Sequence, residues 1–444
     1  MSGVIIAAPA SGSGKTLVTL GLLRHLANAG EDVVSAKVGP DYIDPAFHAA
    51  ASGQACRNLD AWAMQPETLN NQLAELTISD NLIVCEGVMG LFDGARVASG
   101  TLSGSTADIA RISGWPVVLI VDARAQAASA AAVVRGFTTH QPGITIAGVI
   151  FNRVGGAAHA AILRQACTDT LPDIPVLGCL PRGAGMQLPS RHLGLVQALE
   201  HPDLEAFIDG AAAMIGDHID IAALRRLMHA GEARQPISNR PALPPLGQRI
   251  AVARDAAFAF SYAHVLDGWQ AAGSEVDFFS PLADEAPKSG SDAVYLPGGY
   301  PELHAGKLAG NSTFLQGLRD TAESGAAVFG ECGGYMVLGR ALTDGNGEPH
   351  TMAGLLAVET SFASPKLTLG YRQAKLVAGG PLGEAGTAFQ GHEFHYAKVV
   401  NETGADPLFQ ITDAAGNELG HAGQHVGRVV GSFIHLIDRA DHPS

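Results

Sequence analysis

VIIAAPASGSGKT, running from Val4 to Thr16, is the stretch that decides the fold. Its first five residues are an apolar run of strand length. Pro9-Ala10-Ser11-Gly12-Ser13-Gly14-Lys15-Thr16 follows, and the apolar spacing after it predicts a helix from about Leu17 to Asn28. Strand, glycine-rich loop and helix in that order are the setting of a phosphate loop. Glycines let backbone N–H groups approach phosphate oxygens, the helix N-terminus adds partial positive charge, a lysine reaches the terminal phosphates and a hydroxyl can bind magnesium. Ser11, Gly12, Ser13, Gly14, Lys15 and Thr16 are therefore the candidate nucleotide-binding residues. Pro9 stands where the usual pattern has its first glycine, so the loop is a variant. The competing reading is a glycine-rich turn that only caps a helix.

Working outward, Val33–Val38, Leu82–Cys85, Val117–Val121 and Ile146–Phe151 are further short Val/Ile-rich runs separated by helical patterns. They predict a doubly wound α/β fold with a buried parallel sheet. Four prolines interrupt Gln235–Gly247, QPISNRPALPPLG, and the pattern restarts at Ile250–Ala253, Val276–Phe279, Ala293–Leu296 and Ala326–Phe329. This predicts two domains, residues 1–234 and 248–444, joined by a linker over 235–247, with a more antiparallel stretch after Thr343 and through Val400 that adds a layer to the second domain's edge. The 444 residues are ample for two cores.

Lys and Arg total 28 against 43 Asp and Glu, a net charge of −15, which is the wrong sign for gripping nucleic acid. No apolar run reaches the length of a membrane span, and Met1–Ala10 lacks a basic leader, so a soluble, unprocessed chain is expected. Five scattered cysteines, Cys56, Cys85, Cys167, Cys179 and Cys332, suggest neither a disulfide framework nor a zinc knuckle. A reducing cytoplasm fits them.

A bound magnesium ion needs oxygen ligands besides Thr16, and open α/β sheets offer them at the C-terminal ends of strands. Two segments qualify: KVGPDYIDP at Lys37–Pro45, with Asp41 and Asp44, and EGVMGLFDG at Glu86–Gly94. The aspartates have turn chemistry beside proline as a competing explanation. Glu86, ending an apolar strand, is costly there without a partner.

The second site is Gly330-Glu331-Cys332-Gly333-Gly334, again between a strand and a predicted helix, Tyr335–Arg340. G-x-C-x-G is the thiol counterpart of a nucleophile elbow, and a helix N-terminus is expected to lower the thiol pKa. Gly298 and Gly299, after another strand, are candidate oxyanion donors. Among 17 histidines, His435 closes the Val-rich run Arg428–His435 and is the candidate base. His392, Glu393 and His395 in GHEFHY invite a zinc reading, but the spacing and strand-like surroundings favour a substrate-lining or structural role.

With SGSGKT, KVGPDYIDP, EGVMGLFDG, ARDAAFAF (253–260), LPGGYPE (296–302), GECGGYM (330–336), LGYR (369–372) and GHEFHY (391–396), nearly the whole chain resembles glutamine-dependent amidoligases of the cobyrinic or hydrogenobyrinic acid a,c-diamide synthase family. The resemblance implies a dethiobiotin-synthetase-like nucleotide domain followed by a flavodoxin-like glutamine amidotransferase domain of the triad class. It implies ATP and Mg2+ as cofactors and L-glutamine or ammonia as nitrogen source. The acceptor is a corrin acid, with or without cobalt, amidated through acyl phosphates at its a- and c-acetates; a homodimer is expected. Cys332 becomes the nucleophile and His435 its base, Asp41, Glu86 and Asp93 belong to the synthetase site, and Thr16, Asp41 and Glu86 hold the metal. Tyr42 and Ile43 lie beside the substrate, and Asn152 in FNRV meets adenine; Asp93 has a turn role as its alternative. Ile437 stands where triad glutaminases carry Glu, which predicts a dyad with a less well oriented imidazole. Cobyric acid synthase, the nickel-sirohydrochlorin enzyme and a nucleotide-switch protein with a dead glutaminase module are the alternatives.

Overall fold

In the computed structural model, the structure describes residues 2–78, 81–98, 100–183, 190–191, 194–230 and 234–440. The chain divides into two compact units, one made of Met1–Trp62, Leu69–Gly94 and Gly100–Ile237, the other of Ala63–Thr68, Ala95–Ser99 and Ser238–Ser444. The sequence gives no hint that two short stretches of the N-terminal half pack with the second unit.

Seven parallel strands, β1 (Ser2–Ala7), β2 (Val33–Val38), β3 (Cys56–Leu59), β4 (Leu82–Glu86), β5 (Val117–Asp122), β6 (Ile146–Val154) and β7 (Val176–Pro181), with the short antiparallel strand His229–Ala230 on the start of β1, form the eight-stranded sheet of the first unit. Their order is β3-β2-β4-β1-β5-β6-β7. Val4, Ile5, Ile6, Val84, Val118, Leu119, Val149 and Ile150 are fully buried, as residues covered by helices on both sheet faces must be. β1 lies at the centre, with β2, β3 and β4 laid down on one side of it and β5, β6 and β7 on the other. The crevice at the strands' C-terminal ends therefore opens beside β1, where ligands of such sheets bind. α1 (Lys15–Asn28) leaves the loop after β1, and α2 (Asp44–Ser52) starts on a proline at its first turn and ends on Gly53 at φ +73°. Parallel register sets Glu86 level with Ile6 of β1 and Lys37 of β2.

The second unit places Glu275–Phe279, Arg249–Ala253, Ala293–Leu296, Ala327–Glu331 and Val429–Ser432 side by side as the parallel half of a ten-stranded sheet. The same sheet continues antiparallel through Glu418–Val426, Asp406–Asp413, Thr368–Leu376, Ala388–His395 and Ile434–Ala440. The antiparallel region thus extends beyond Val400 to the last described strand and belongs to the main sheet. Ala341–Thr343, Pro349–Thr351, Glu359–Ser361 and Lys398–Asn401 make a separate small sheet. The run expected to end at His435 is instead two strands. The Ser432 hydroxyl accepts the Ile434 amide at 3.1 Å, a local turn that breaks the run at Phe433 and leaves His435 near the start of the following strand.

No helix among the described residues is long and apolar enough to cross a membrane. Leu119 of β5 has no exposed surface, so Leu119→Ala removes buried methyls and leaves a void. Its expected cost is about 2–5 kcal/mol, read as a lower urea midpoint at unchanged slope.

Candidate functional site

The first unit assembles its polar residues around the loop that follows β1. Gly12 and Gly14 have φ of +75° and +98°, values that put neighbouring amides on one side of the loop. Ser13 Oγ donates to the Ala10 carbonyl at 2.8 Å, while Ser11 and Gly12 are exposed at the tip. β6 braces the loop from below: Asn152 Nδ2 donates to the Ser13 carbonyl at 2.9 Å and Arg153 Nη1 to that of Gly12 at 2.8 Å. Asn152 Oδ1 also accepts the Arg153 amide. With 5 % exposure and both ends engaged, Asn152 is placed under the loop. A side chain at Gly14 would collide with its amide at 2.2 Å.

The EGVMGLFDG segment packs on the same loop. Leu91 N–H donates to the Ala8 carbonyl, and a Cβ on Gly90 would stand 2.6 Å from the Pro9 oxygen, so only glycine allows this approach. Asp93 Oδ2 accepts the Gly90 amide at 2.8 Å, the turn role, yet the residue is exposed and its charge reaches Lys15. Lys15 Nζ lies 2.5 Å from the Met89 carbonyl, and burial lowers its pKa.

Glu86, 1 % exposed, is the centre of this group. Its Oε1 accepts the Thr16 hydroxyl at 2.8 Å and Lys37 Nζ at 3.0 Å; its Oε2 faces His48 Nε2 at 2.8 Å. Burial alone would raise the carboxyl's pKa, but Lys37, His48 and Thr16 outweigh it and hold Glu86 well below the usual carboxylate range. Lys37 also reaches Asp44 Oδ2 at 2.5 Å, and burial together with Asp41 pushes Asp44 up to about 7. Asp41 is half-buried, and its Oδ1 caps the amides of Ile43 and Asp44 at 2.8 and 3.1 Å, so it starts α2. Tyr42 and Ile43 are 9 % and 8 % exposed.

Two ligands of an octahedral magnesium ion, bound at about 2.0–2.1 Å, stand roughly 2.9 Å apart. The Thr16 and Glu86 oxygens, at 2.8 Å, match that edge. Both are hard oxygen donors, so this pair fits the ion; the Asp41 oxygen that caps α2 is occupied by amides.

In the second unit, Cys332 ends the strand Ala327–Glu331 with φ +47°, a conformation that costs a non-glycine residue about 1–3 kcal/mol. The short helix Gly333–Leu338 follows. A Cβ on Gly334 would meet the Leu296 carbonyl at 1.9 Å, one on Gly298 would meet His435 Cε1 at 2.3 Å, and one on Gly333 would lie 3.0 Å from the Gly299 nitrogen. Glycines therefore let the elbow, the Gly298-Gly299 turn and the imidazole close on one point. The Gly298 site faces His435 Cε1 and Nε2 on one hand and Cys332 Cβ, at 3.3 Å, on the other. The Gly333 amide donates to the Cys332 sulfur, and the Gly299 amide lies beside it.

Burial dominates the electrostatics. It pushes the Cys332 thiol up, with Glu302 adding to the effect, which reverses the lowering expected from a helix N-terminus: the six-residue helix and one amide do not offset complete desolvation. Burial, with His392 and His395, lowers His435 to about 3. His392 pairs with His435 across neighbouring strands. The GHEFHY and LGYR motifs lie in register, where Arg372 Nε meets Glu393 Oε2 at 2.7 Å and His395 Nε2 meets Glu393 Oε1 at 3.0 Å. His395 stacks on Phe433 with ring centres 3.9 Å apart.

Lys37, His48 and Arg153 stand in the candidate site, and the sequence reading passed over them. A lysine inside a Val-rich strand, and a histidine one helical turn after Asp44, were the available signals.

A nucleotide-binding half and a glutamine-amidotransferase half define the class. Residues 4–196 match the family model of the CobQ/CobB/MinD/ParA nucleotide binding domain, and residues 249–442 that of the CobB/CobQ-like glutamine amidotransferase domain. The hydrogenobyrinate a,c-diamide synthase of Brucella anthropi is 53 % identical over 99 % of both chains. The proteins of that name from Rhizobium meliloti and Rhodobacter capsulatus are 51 % and 50 % identical, over 99 % and 98 % of each chain. The chain belongs to the hydrogenobyrinate a,c-diamide synthase family, whose members are glutamine-dependent amidoligases.

Lys37→Met leaves two buried carboxylates without their shared cation. The expected cost is about 3–5 kcal/mol at pH 8. Glu86, held low by its partners, still makes its full contribution in the wild type at pH 5, above its unfolded pKa; in the variant the two carboxylates left without Lys37 take up protons as pH falls, so the gap between wild type and variant narrows at pH 5. Urea unfolding at both pH values checks this.

Proposed function

We propose that the chain amidates the a- and c-acetate carboxylates of hydrogenobyrinic acid, using ATP to activate each carboxylate and glutamine to supply ammonia. What carries the reading is one chain that holds both a braced phosphate loop with a Thr16–Glu86 oxygen pair and an elbow thiol facing a histidine. The relatives' shared name favours the cobalt-free acid over cobyrinic acid.

In the synthetase half, a substrate carboxylate oxygen attacks the γ-phosphorus of ATP and the bond to ADP breaks, giving an acyl phosphate. Lys15, at the head of α1, binds the terminal phosphates, and the loop amides cradle the chain of phosphates. Thr16 and Glu86 are the residues to hold Mg2+, which when bound supplies charge neutralisation at the phosphates. Lys37 and His48 keep Glu86 ionised and aimed at Thr16. Asp41 sets the start of α2 and with it Tyr42 and Ile43, the residues placed beside the corrin acid; exposed Asp93 lies near Lys15 at the same rim.

In the glutaminase half, Cys332 Sγ attacks the carbon of the glutamine side-chain amide as its proton passes to His435 Nε2. Gly299 and Gly333 offer amides to the oxyanion, and Gly298 keeps the space clear for the imidazole. His435 gives the proton to the leaving ammonia, then takes one from the water that cleaves the thioester. Ammonia displaces phosphate from the acyl phosphate, and the amide forms. The proposed setting is the cytoplasm, with the enzyme as a homodimer.

Two variants separate the halves. Cys332→Ser should lower glutamine-dependent amidation at least 100-fold, the order of a lost nucleophile, and leave ammonia-dependent amidation near wild type. Lys15→Ala should lower both by about 100-fold or more, since charge stabilisation of the phosphoryl group serves both. Steady-state rates with either nitrogen source check both; loss of ammonia-dependent synthesis in folded Cys332→Ser, or normal rates in Lys15→Ala, would overturn the reading.

A further inference from the structure

Ile437 leaves the usual acidic position of a glutaminase triad apolar, and it is buried with 1 % exposure. Another carboxyl stands at the imidazole. Glu331, immediately before the nucleophile, places Oε2 at 3.9 Å from His435 Nδ1, and both side chains are buried. Its Oε1 accepts the Leu436 amide at 2.8 Å, an anchor on the residue that follows His435. The Tyr295 hydroxyl lies 2.6 Å from Oε2. The opposite edge of the ring, Cε1 and Nε2, borders the Gly298 position, which Cys332 Cβ borders as well. Cysteine, imidazole and carboxyl thus stand in the order that general-base activation of a nucleophile requires.

Resting on the glutaminase reading above, we propose that Glu331 is the positioning residue of His435, taking the place of the missing triad acid from the opposite direction along the chain. The Leu436 amide is a fixed donor, so it holds one carboxyl oxygen and turns the other toward Nδ1. An acceptor there selects the tautomer with its proton on Nδ1 and leaves the Nε2 lone pair toward the thiol. When the S–H bond breaks, the Nε2–H bond forms and sulfur bonds to the amide carbon, the imidazolium charge is held against Glu331 Oε2 once that carboxyl, which burial pushes up to about 8, is ionised. The other titratable groups facing His435 are His392, across the strand pair, and His395, both of which disfavour the imidazolium. Glu331 is the carboxyl that borders Nδ1.

The same geometry predicts what an amide would do at this position. In Glu331→Gln the Leu436 amide claims the single carbonyl oxygen, and the NH2 group turns to Nδ1. That favours the tautomer with its proton on Nε2, which cannot accept from the thiol.

The test measures kcat and KM for glutamine, with ATP and corrin acid present, for wild type, Glu331→Gln and Glu331→Asp, alongside ammonia-dependent amidation. For Glu331→Gln the expected result is a fall in glutamine kcat of about 100-fold, the scale of a lost general base. KM stays within threefold, ammonia-dependent synthesis is unchanged, and Glu331→Asp, which keeps an acceptor, recovers at least tenfold over Glu331→Gln. A fall of less than tenfold, an equal loss of ammonia-dependent synthesis, or no recovery in Glu331→Asp overturns the proposal. Should Glu331→Gln not fold, Glu331→Ala decides: its glutamine kcat falls tenfold or more with ammonia use intact, or the proposal fails. Wild-type enzyme that hydrolyses no glutamine overturns the underlying reading instead, whereas wild-type turnover beside an unimpaired Glu331→Gln overturns this inference alone.

Discussion

A carboxyl group carried to the buried tip of a β-strand costs several kcal/mol unless something meets it. Each unit of this chain carries one. β4 ends in Glu86 and the strand Ala327–Glu331 ends in Glu331, and both residues are 1 % exposed. Cations and a hydroxyl meet Glu86 through Lys37, His48 and Thr16, and it stays ionised. Neutral donors, Tyr295 and Leu436, meet Glu331, and burial pushes it up to about 8. The two sites differ in chemistry because the same residue type at the same place in a parallel sheet was given different company.

The company follows from register. Lys37 is level with Glu86 because β2 and β4 pair in parallel, and Thr16 reaches it because the loop after β1 rises between β4 and β5. At the second site the turn at Phe433 brings His435 in from an antiparallel strand, beside His392. There the imidazole stands between Gly298 and Glu331.

How much of this the sequence discloses depends on whether a signal is local. SGSGKT and GECGG are each contiguous, and each is bounded by an apolar strand, so both loops could be placed. Glu86 stood out as a charge on an apolar run. Lys37 and His48 did not, because their meaning lies in pairing with β4, 49 residues away for Lys37. β3, with the sequence CRNL, has no apolar run to reveal it. The expected lowering of the Cys332 pKa drew on the local helix and missed the burial that the rest of the unit imposes. Glu331 was in plain view beside the nucleophile, yet its nearness to His435, 104 residues on, appears only once the last strands are in place.

The central claim is that one chain joins ammonia from glutamine to two activated carboxylates. It is tested most directly by incubating the protein with Mg-ATP, amide-15N glutamine and hydrogenobyrinic acid, and weighing the product by mass spectrometry. The account predicts a product that stops at two new amides, both carrying 15N. A product with no amide, or one that runs on beyond two, would contradict it.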